Sequence, residues 1–542
     1  MDTRKGITPF SDAYGRLLEE FGRQGVRGAR EQVGERQPSW GEARRNVREE
    51  IVRCLWFGGH FPQGDRADSS PLTTDDGRRI EVLSPGWWNV EGGPDFIRAE
   101  LLLEGSGRVV GDVEVHTFAS AWSAHGHDRQ PEYNDVVLHV VMWNDSEASD
   151  ARLYSGQVIP QLTLSRFVEE ELEELVEIVD MDGGPARDEP PAVPGRYCGE
   201  AIAEGRISAE WLERLLDCAG DYRLLTKMGR FRGLQEKVLR EQTLYASLAE
   251  ALGYKNNRMP FLQLAKLLPV RRLREIVPSD APASERRTVL DAALLGVAGF
   301  LEGAEGEDEE TRSYVAALRE RWEQFPAELR EQRMSSGHWT FAGTRPASYP
   351  ARRIAALSCL YAEHLQAGLF GHLVRVVRGV RAEGRRRLDT SLRDVLTGVF
   401  IALDHPYWSS RYALGGKKLD APRSLVGRES AMSFIVDVLI PLLLAHTEGQ
   451  AAEAQPSPDD DELVRRLRLL WSGLPRRAPN SVVRRMCQVL FREPADAARI
   501  VNSARRQQGL HQLHSDACGS EDGCRRCVLY LAHSAGKTLT EV

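Results

Sequence analysis

The densest grouping of reactive side chains lies between Pro85 and Val141. Gly92-Gly93-Pro94-Asp95-Phe96 is followed by Gly111-Asp112-Val113-Glu114-Val115-His116, then by His125-Gly126-His127 and by His139. The two glycines make a turn and Pro94 fixes the backbone at the mouth of a strand, so Asp95 heads the apolar run Phe96–Leu103. In the next run, side chains alternate across the pleat. Asp112, Glu114 and His116 share one face, and Val113 and Val115 take the other. Paired as a hairpin, the two strands would bring Asp95 and Glu114 together at one end of the sheet. Acids on one face of apolar strands are costly unless paired or bound to a cation. Two carboxylates beside a His suit Mg²⁺ or Mn²⁺. Such an ion polarises a phosphoryl oxygen and lowers the pKa of an attacking water. His116 would orient that water or act as its base. The competing expectation is a solvated sheet face carrying ordinary surface acids.

The elements that must position these groups follow from periodicity. Ser39-Trp40-Gly41-Glu42 fits a capping box, and the helix after it, to about Phe57, puts Val47, Ile51, Cys54 and Leu55 on one side. Strands are predicted at Ile80–Leu83, Phe96–Leu103, Val109–Val115, Val136–Trp143 and Val158–Leu164, with a short helix at Ala119–His125 before the fourth. An acidic helix runs to about Val179, and Asp182–Pro194 is a linker. Beyond it the pattern is helical at Ser208–Leu216, Leu234–Leu252, Arg287–Leu301, Thr311–Arg321, Ile354–Gln366, Leu388–Leu403, Ala431–His446 and Glu462–Leu470. The expected division is a flexible arm over 1–35, an α/β core over 36–181, the linker 182–194, a helical domain over 195–448, a flexible break at 449–461 and a C-terminal helical region over 462–542. A chain of 542 residues is too long for one core. Arg345-Pro346 with Arg352-Arg353, and Arg477-Ala478-Pro479 with Arg484-Arg485, repeat a seven-residue offset before an apolar helix, which fits a duplicated unit or coincidence.

Net charge is −8, from 71 basic and 79 acidic residues, which argues against non-specific coating of nucleic acid. Arg352-Arg353, Arg375–Arg387 and Arg476–Arg485 are read as solvated helix faces, with local basic grooves as the alternative. The N-terminus lacks a secretory pattern. The apolar run Ser433–His446 contains Asp437 and Pro441 and reads as a buried helix, so the expectation is a cytoplasmic protein with no membrane span. No Walker-type phosphate loop is present, so any NTP-driven motor would be a separate partner.

Cys518, Cys524 and Cys527 in CGSEDGCRRC are spaced so that three thiolates can meet one metal, either zinc or an iron–sulfur cluster. Cys198 is the candidate fourth ligand, with Cys487, Cys218, His511 and His514 as alternatives. Cys54 and Cys359 sit in apolar helical surroundings and read as core residues.

Pro94-Asp95 followed by Glu114-Val115-His116 resembles the motif of the PD-(D/E)xK nuclease superfamily. The resemblance implies a restriction-endonuclease-like mixed-sheet core and Mg²⁺- or Mn²⁺-dependent cleavage of DNA, or of RNA. Asp95 and Glu114 would then hold the cation, and an acid from the preceding helix, Glu50 in preference to Glu49, would assist. His116 stands where that motif has Lys. Some nucleases of the superfamily use a cysteine cluster to staple the chain ends, with one Cys before the core; here Cys198 follows it. A longer resemblance rests on Pro85-Gly86, Asn89, Gly93-Pro94-Asp95-Phe96, Gly111–His116, His125-Gly126-His127, Leu138–Val141, Leu252–Asn257, Arg345-Pro346 and the Cys-rich C-terminus. These look like an uncharacterised bacterial family, the domain of unknown function 2851 group, from about Glu49 onward.

The fold class expected is therefore α+β and multi-domain, with an α/β core followed by a mostly helical region. The function expected is a nuclease, with His125 and His127 as substrate or phosphate contacts. One alternative is a catalytically inert module that binds nucleic acid or protein. Another is a His-metal enzyme, because His125-x-His127, Glu132 and His139 resemble the ligand order of cupin-type barrels; too few strands are predicted for that barrel. His139, in mid-strand, also reads as a core histidine.

Overall fold

The computed structural model describes residues 14, 49–58, 71–89, 93–145, 151–168, 196–237, 239–302, 308–341, 344–382, 387–453, 458–518, 527, 529, 530 and 539. The helix start at Ser39, the acidic helix to Val179, the 182–194 linker and Cys524 lie outside these residues, as does the 1–35 arm except Tyr14.

Helix α1 (Glu49–Gly58) buries Val52, Leu55 and Trp56, the three-and-four spacing of one helix face. It packs on a sheet whose strands are β1 (Ile80–Ser84), β2 (Trp87–Trp88), β3 (Phe96–Leu103), β4 (Gly107–Phe118) and β5 (Val136–Trp143). A short hairpin follows, β6 (Ala151–Arg152) and β7 (Val158–Ile159), and then β8 (Gln161–Thr163). The order is β1-β3-β4-β5-β8, with β2 beside β3. The β1/β3 and β3/β4 pairs are antiparallel, whereas β4/β5 and β5/β8 are parallel. The strand predicted over Val158–Leu164 divides into β7 and β8 at Pro160, which has no N–H to give a ladder.

Parallel pairing of β4 and β5 demands a crossover. Residues 119–135 provide it, with helix α2 (Ala121–Ala124) and 3₁₀ turns at His127–Arg129 and Pro131–Tyr133. Gly111 is needed where the crossover rejoins the sheet. A Cβ there would lie 2.2 Å from Val137 Cγ1 and 2.7 Å from the Asp135 carbonyl oxygen.

One face of the sheet meets α1 through Phe96, Val113, Val115, Leu138 and Val140. The crossover covers the other, with a small core of Trp122, Tyr133, Val136, Ala151, Leu153 and Ile159. The polar face of β4 is thus roofed over rather than solvated: Glu114 is 4% exposed and His116 1%.

From Arg196 onward the described elements are helical. The expected pair Ser208–Leu216 and Leu234–Leu252 is instead a 29-residue helix, Ala209–Lys237, followed by Arg240–Leu252. Helices also extend into the segment read as a break, since Ile440–Glu453 and Pro458–Gly473 leave only 454–457 between them. Packing does not follow the boundary expected near 449–461. Leu463, Leu467 and Leu470 join the large core built around Leu248, Leu294, Leu357 and Leu443. A second core joins Ala201, Leu212 and Leu215 to Met486, Leu510 and Leu513. Tyr14 is part of that second core and donates a 2.7 Å hydrogen bond to Asp516 Oδ2, so this point of the arm is anchored.

Arg352 and Arg353 are neither a groove nor a solvated face. Both are buried, and Arg352 donates to the carbonyls of Trp408, Arg411, Arg423, Ser424 and Leu425. In the second copy of the offset, Arg484 is exposed and caps only Pro479, so the two segments serve different ends. Arg428–Thr447 is long and apolar enough by length and composition to cross a membrane, and most of it is buried in the helical core.

Candidate functional site

Asp95 sits at the head of β3, where Asn89 Nδ2 holds the Pro94 carbonyl at 2.8 Å and the Asn89 N–H holds that of Asp95 at 2.7 Å. It is locked to the middle of β4 from both sides. The Asp95 N–H donates to Glu114 Oε2 at 2.9 Å, and the Val115 N–H donates to Asp95 Oδ2 at 3.1 Å. Helix α1 adds a cation: Arg53 Nη2 lies 2.8 Å from Asp95 Oδ1 and also pairs with Glu49 one turn back. Glu50 lies in α1, and its side chain is outside the described set. Among the described side chains of the helix, Glu49 reaches this pair through Arg53.

Two buried carboxylates with one guanidinium are short of positive charge. Burial, reinforced by the Glu114 charge, holds the Asp95 carboxyl well above the usual range against the pull of Arg53. Burial opposes the Arg53 charge, but Asp95 and Glu49 outweigh it and raise its pKa.

Glu114 Oε1 faces the crossover. His127 Nε2 lies 3.2 Å from it and His116 Nε2 3.6 Å. His116 Nε2 also lies 3.1 Å from His125 Nδ1, and His116 Nδ1 is 2.9 Å from His139 Nε2. The glycine at 126, with φ of 76°, turns the chain so that His125 and His127 both point back at β4. Tyr133 and Trp122 hold the His127 ring, with centroids 4.0 and 5.4 Å away, and Trp122 also packs on His139 at 5.1 Å. His139 stands opposite Glu114 in the β4/β5 register.

Burial, with a smaller contribution from the neighbouring rings, pulls the His116 pKa down to about 2. Burial likewise pulls His139 down to about 3, partly opposed by Gln161. Both rings are therefore neutral at physiological pH, the form that presents a lone pair to a metal. His116, His127 and His139 are buried, and His125 is exposed, so solvent reaches the cluster past His125.

The structure thus brings together Asp95, Glu114, His116, His125 and His127. Sequence reasoning missed Arg53, whose signal was its i, i+4 spacing from Glu49, and it missed Trp122 and Tyr133 as the walls. Glu132 is exposed.

At the other end of the chain, Cys198 and Cys527 are buried in the second helical core, with Cys518 half-buried in the same cluster. A side-chain hydrogen bond with Cys198 outweighs burial and lowers the Cys527 thiol to about 7. Cys218 and Cys487 border this core too. Cys359 lies in the large core, where burial pushes its thiol up to about 12. The Cys54 side chain is outside the described set.

This chain belongs to the family described as Protein of unknown function (DUF2851), whose model matches residues 49–459. The match opens at α1 and contains the whole carboxylate–histidine site. It ends at residue 459, before Cys518, Cys524 and Cys527. Neither curated proteins nor solved structures give a match.

Proposed function

Starting from membership of a family whose description carries no activity, we propose that this chain is a metal-dependent phosphodiester hydrolase. It would be a nuclease of the PD-(D/E)xK type acting on DNA, or on RNA, with His116 in the lysine position. One observation carries the reading: Asp95 and Glu114 are buried together where β3 meets β4, the Asp95 N–H donating to Glu114 Oε2 and the Val115 N–H to Asp95 Oδ2, beside Arg53 and Glu49 of the preceding helix. The element order also agrees. Helix α1, the antiparallel strands β1, β3 and β4 and a crossover lead to β5, parallel to β4, an order compatible with a restriction-endonuclease-like core.

The donor chemistry fits a divalent cation. Glu114 Oε1 is free of the backbone bond that holds Oε2, and His127 Nε2, buried, has no hydrogen-bond partner among the described residues. A cation bound there supplies polarisation of the phosphoryl group and a lowered pKa for the attacking water. Arg53 orients Asp95, which would accept the proton as the water oxygen bonds to phosphorus, the ester P–O bond breaks and the leaving oxygen takes a proton from solvent. His125, at the exposed mouth, donates through Nε2–H to a phosphate oxygen. The cysteines at 198, 518, 524 and 527 brace the C-terminus around zinc or an iron–sulfur cluster in the same reading, and a separate motor would supply any translocation.

The Arg53–Asp95 ion pair favours one alternative, an inert module of the same fold that binds nucleic acid or protein, because it satisfies Asp95 without a metal. The deciding experiment is cleavage of labelled single- and double-stranded DNA and RNA by the full chain with Mg²⁺, Mn²⁺ or Zn²⁺, against Asp95→Asn and Glu114→Gln. Cleavage lost in both variants supports the hydrolase. No cleavage by folded wild type, with binding that survives Asp95→Asn, supports the module.

A further inference from the structure

The geometry points to a tetrahedral site for a borderline transition-metal cation, with zinc as the reference ion, formed by His116 Nε2, His125 Nδ1, His127 Nε2 and Glu114 Oε1. The proposal deepens the hydrolase reading by naming the class of its metal.

Spacing is the first argument. The three histidines offer nitrogens that all lie within 4.8 Å of one another. The separations are 3.1 Å from His116 Nε2 to His125 Nδ1, 3.6 Å from His116 Nε2 to Glu114 Oε1 and 3.2 Å from His127 Nε2 to Glu114 Oε1. Four ligands at tetrahedral angles on bonds of about 2.0–2.1 Å stand roughly 3.3 Å apart. The three imidazoles form one cluster, and Glu114 Oε1 stands beside two of them, His116 and His127, at close to that spacing.

The second argument is an unsatisfied atom. His127 is 6% exposed, and its Nε2 has no hydrogen-bond partner among the described residues although Glu114 Oε1 is close by. A histidine cluster serving only to fill the core would pair its buried nitrogens. Here His127 Nε2 is left without a partner among the described residues, 3.2 Å from Glu114 Oε1.

Ring orientation is the third. His127 Nδ1 lies 3.4 Å from Gln130 Oε1, an acceptor, so Nδ1 carries the proton and Nε2 is left bare. His116 Nδ1 has His139 Nε2 at 2.9 Å, which leaves His116 Nε2 for the inner position. Both rings therefore have an outer hydrogen-bond partner, as metal-bound imidazoles require, and for His127 that partner is an acceptor. Three imidazoles with one carboxylate suit zinc and its neighbours and are poor ligands for Mg²⁺, which takes oxygen. Asp95, engaged by Arg53 and the Val115 N–H, stands outside the set.

The test is titration of the full chain, stripped of metal, with Co²⁺ and then Zn²⁺, followed by visible absorption and by metal content. The expected result is one Co²⁺ per chain with the d–d bands of tetrahedral nitrogen and oxygen ligation, displaced by Zn²⁺ and not by millimolar Mg²⁺. Those bands lack the sulfur-to-cobalt charge transfer that ions at the cysteines would show. The affinity should fall at least tenfold in His125→Gln, whose exposure protects the fold, and in His127→Gln, and should persist in Asp95→Asn. Absence of the nitrogen–oxygen bands in wild type, or bands unchanged in His125→Gln, would overturn the site. Metal bound as expected with no cleavage of any polymer would leave the site standing and remove the hydrolase reading alone.

Discussion

Arg53 is the cation that reaches the Asp95–Glu114 pair from α1, and replacing it with methionine keeps the aliphatic stem while deleting the charge. Breaking one side of a buried ion pair costs about 3–5 kcal/mol. The Arg53 side chain is 27% exposed and that of Asp95 7%, so part of the interaction is screened and a loss of about 2–3 kcal/mol is expected. The loss is local, because the pair ties α1 to the β3–β4 junction rather than to the helical cores. Global denaturant unfolding of so large a chain is unsuited to reading it. Hydrogen–deuterium exchange resolves it instead. Peptides covering β3 and β4 contain the Asp95 and Val115 amides that bond across the pair, and their protection should fall by about 30- to 160-fold, the equivalent of 2–3 kcal/mol. Asp95→Asn should then restore most of that protection in the Arg53→Met background, since the amide leaves no unpaired charge. Protection in Arg53→Met within threefold of wild type, or no rescue by Asp95→Asn, would refute the claim that this ion pair holds the junction.

Gly111→Ala should destabilise the β4–β5 junction by about 1–3 kcal/mol, read as faster exchange of β5 amides. Val137→Ala should restore only part of the loss, because the 2.7 Å contact with the Asp135 carbonyl remains. Arg352→Met should open residues 405–426 to proteolysis and cost about 3 kcal/mol or more, since it leaves the carbonyls of Trp408, Arg411, Arg423 and Ser424 without their guanidinium donor, while Leu425 keeps that of Arg353. Glu250 is buried between Arg230 and Arg258; burial raises its pKa, but the two guanidiniums outweigh it and bring the value to about 2. A depressed carboxylate contributes stability that is complete above its unfolded pKa of roughly 4.5 and disappears as pH falls through the folded value, so about 3 kcal/mol should be lost between those limits. Glu250→Gln should flatten that part of the acid-stability profile, measured by thermal unfolding from pH 5 to 2, and an unchanged profile would count against the assignment.

Much of the α/β core is legible in the sequence because its determinants are local. Valine-rich alternation marks β3, β4 and β5, and the same alternation separates Val113 and Val115 from Asp112, Glu114 and His116. The turn at Glu104–Ser106 makes β3 and β4 a hairpin, so the approach of Asp95 to Glu114 is a consequence of short-range register. Only the tertiary structure decided the rest. Nothing in a period of two or of three and four residues says that the crossover folds back over the polar face, yet Trp122 and Tyr133 bury their rings there and the crossover brings His127 onto Glu114 and His125 onto His116. Nor does any local pattern distinguish Arg352, sunk among carbonyls, from Arg484 at the surface. Cys198 and Cys527 meet across more than half the chain because both are buried in the same core. Contacts of this range are selected by which apolar surfaces find one another, at the expense of loop entropy, and that choice belongs to the whole chain rather than to any segment of it.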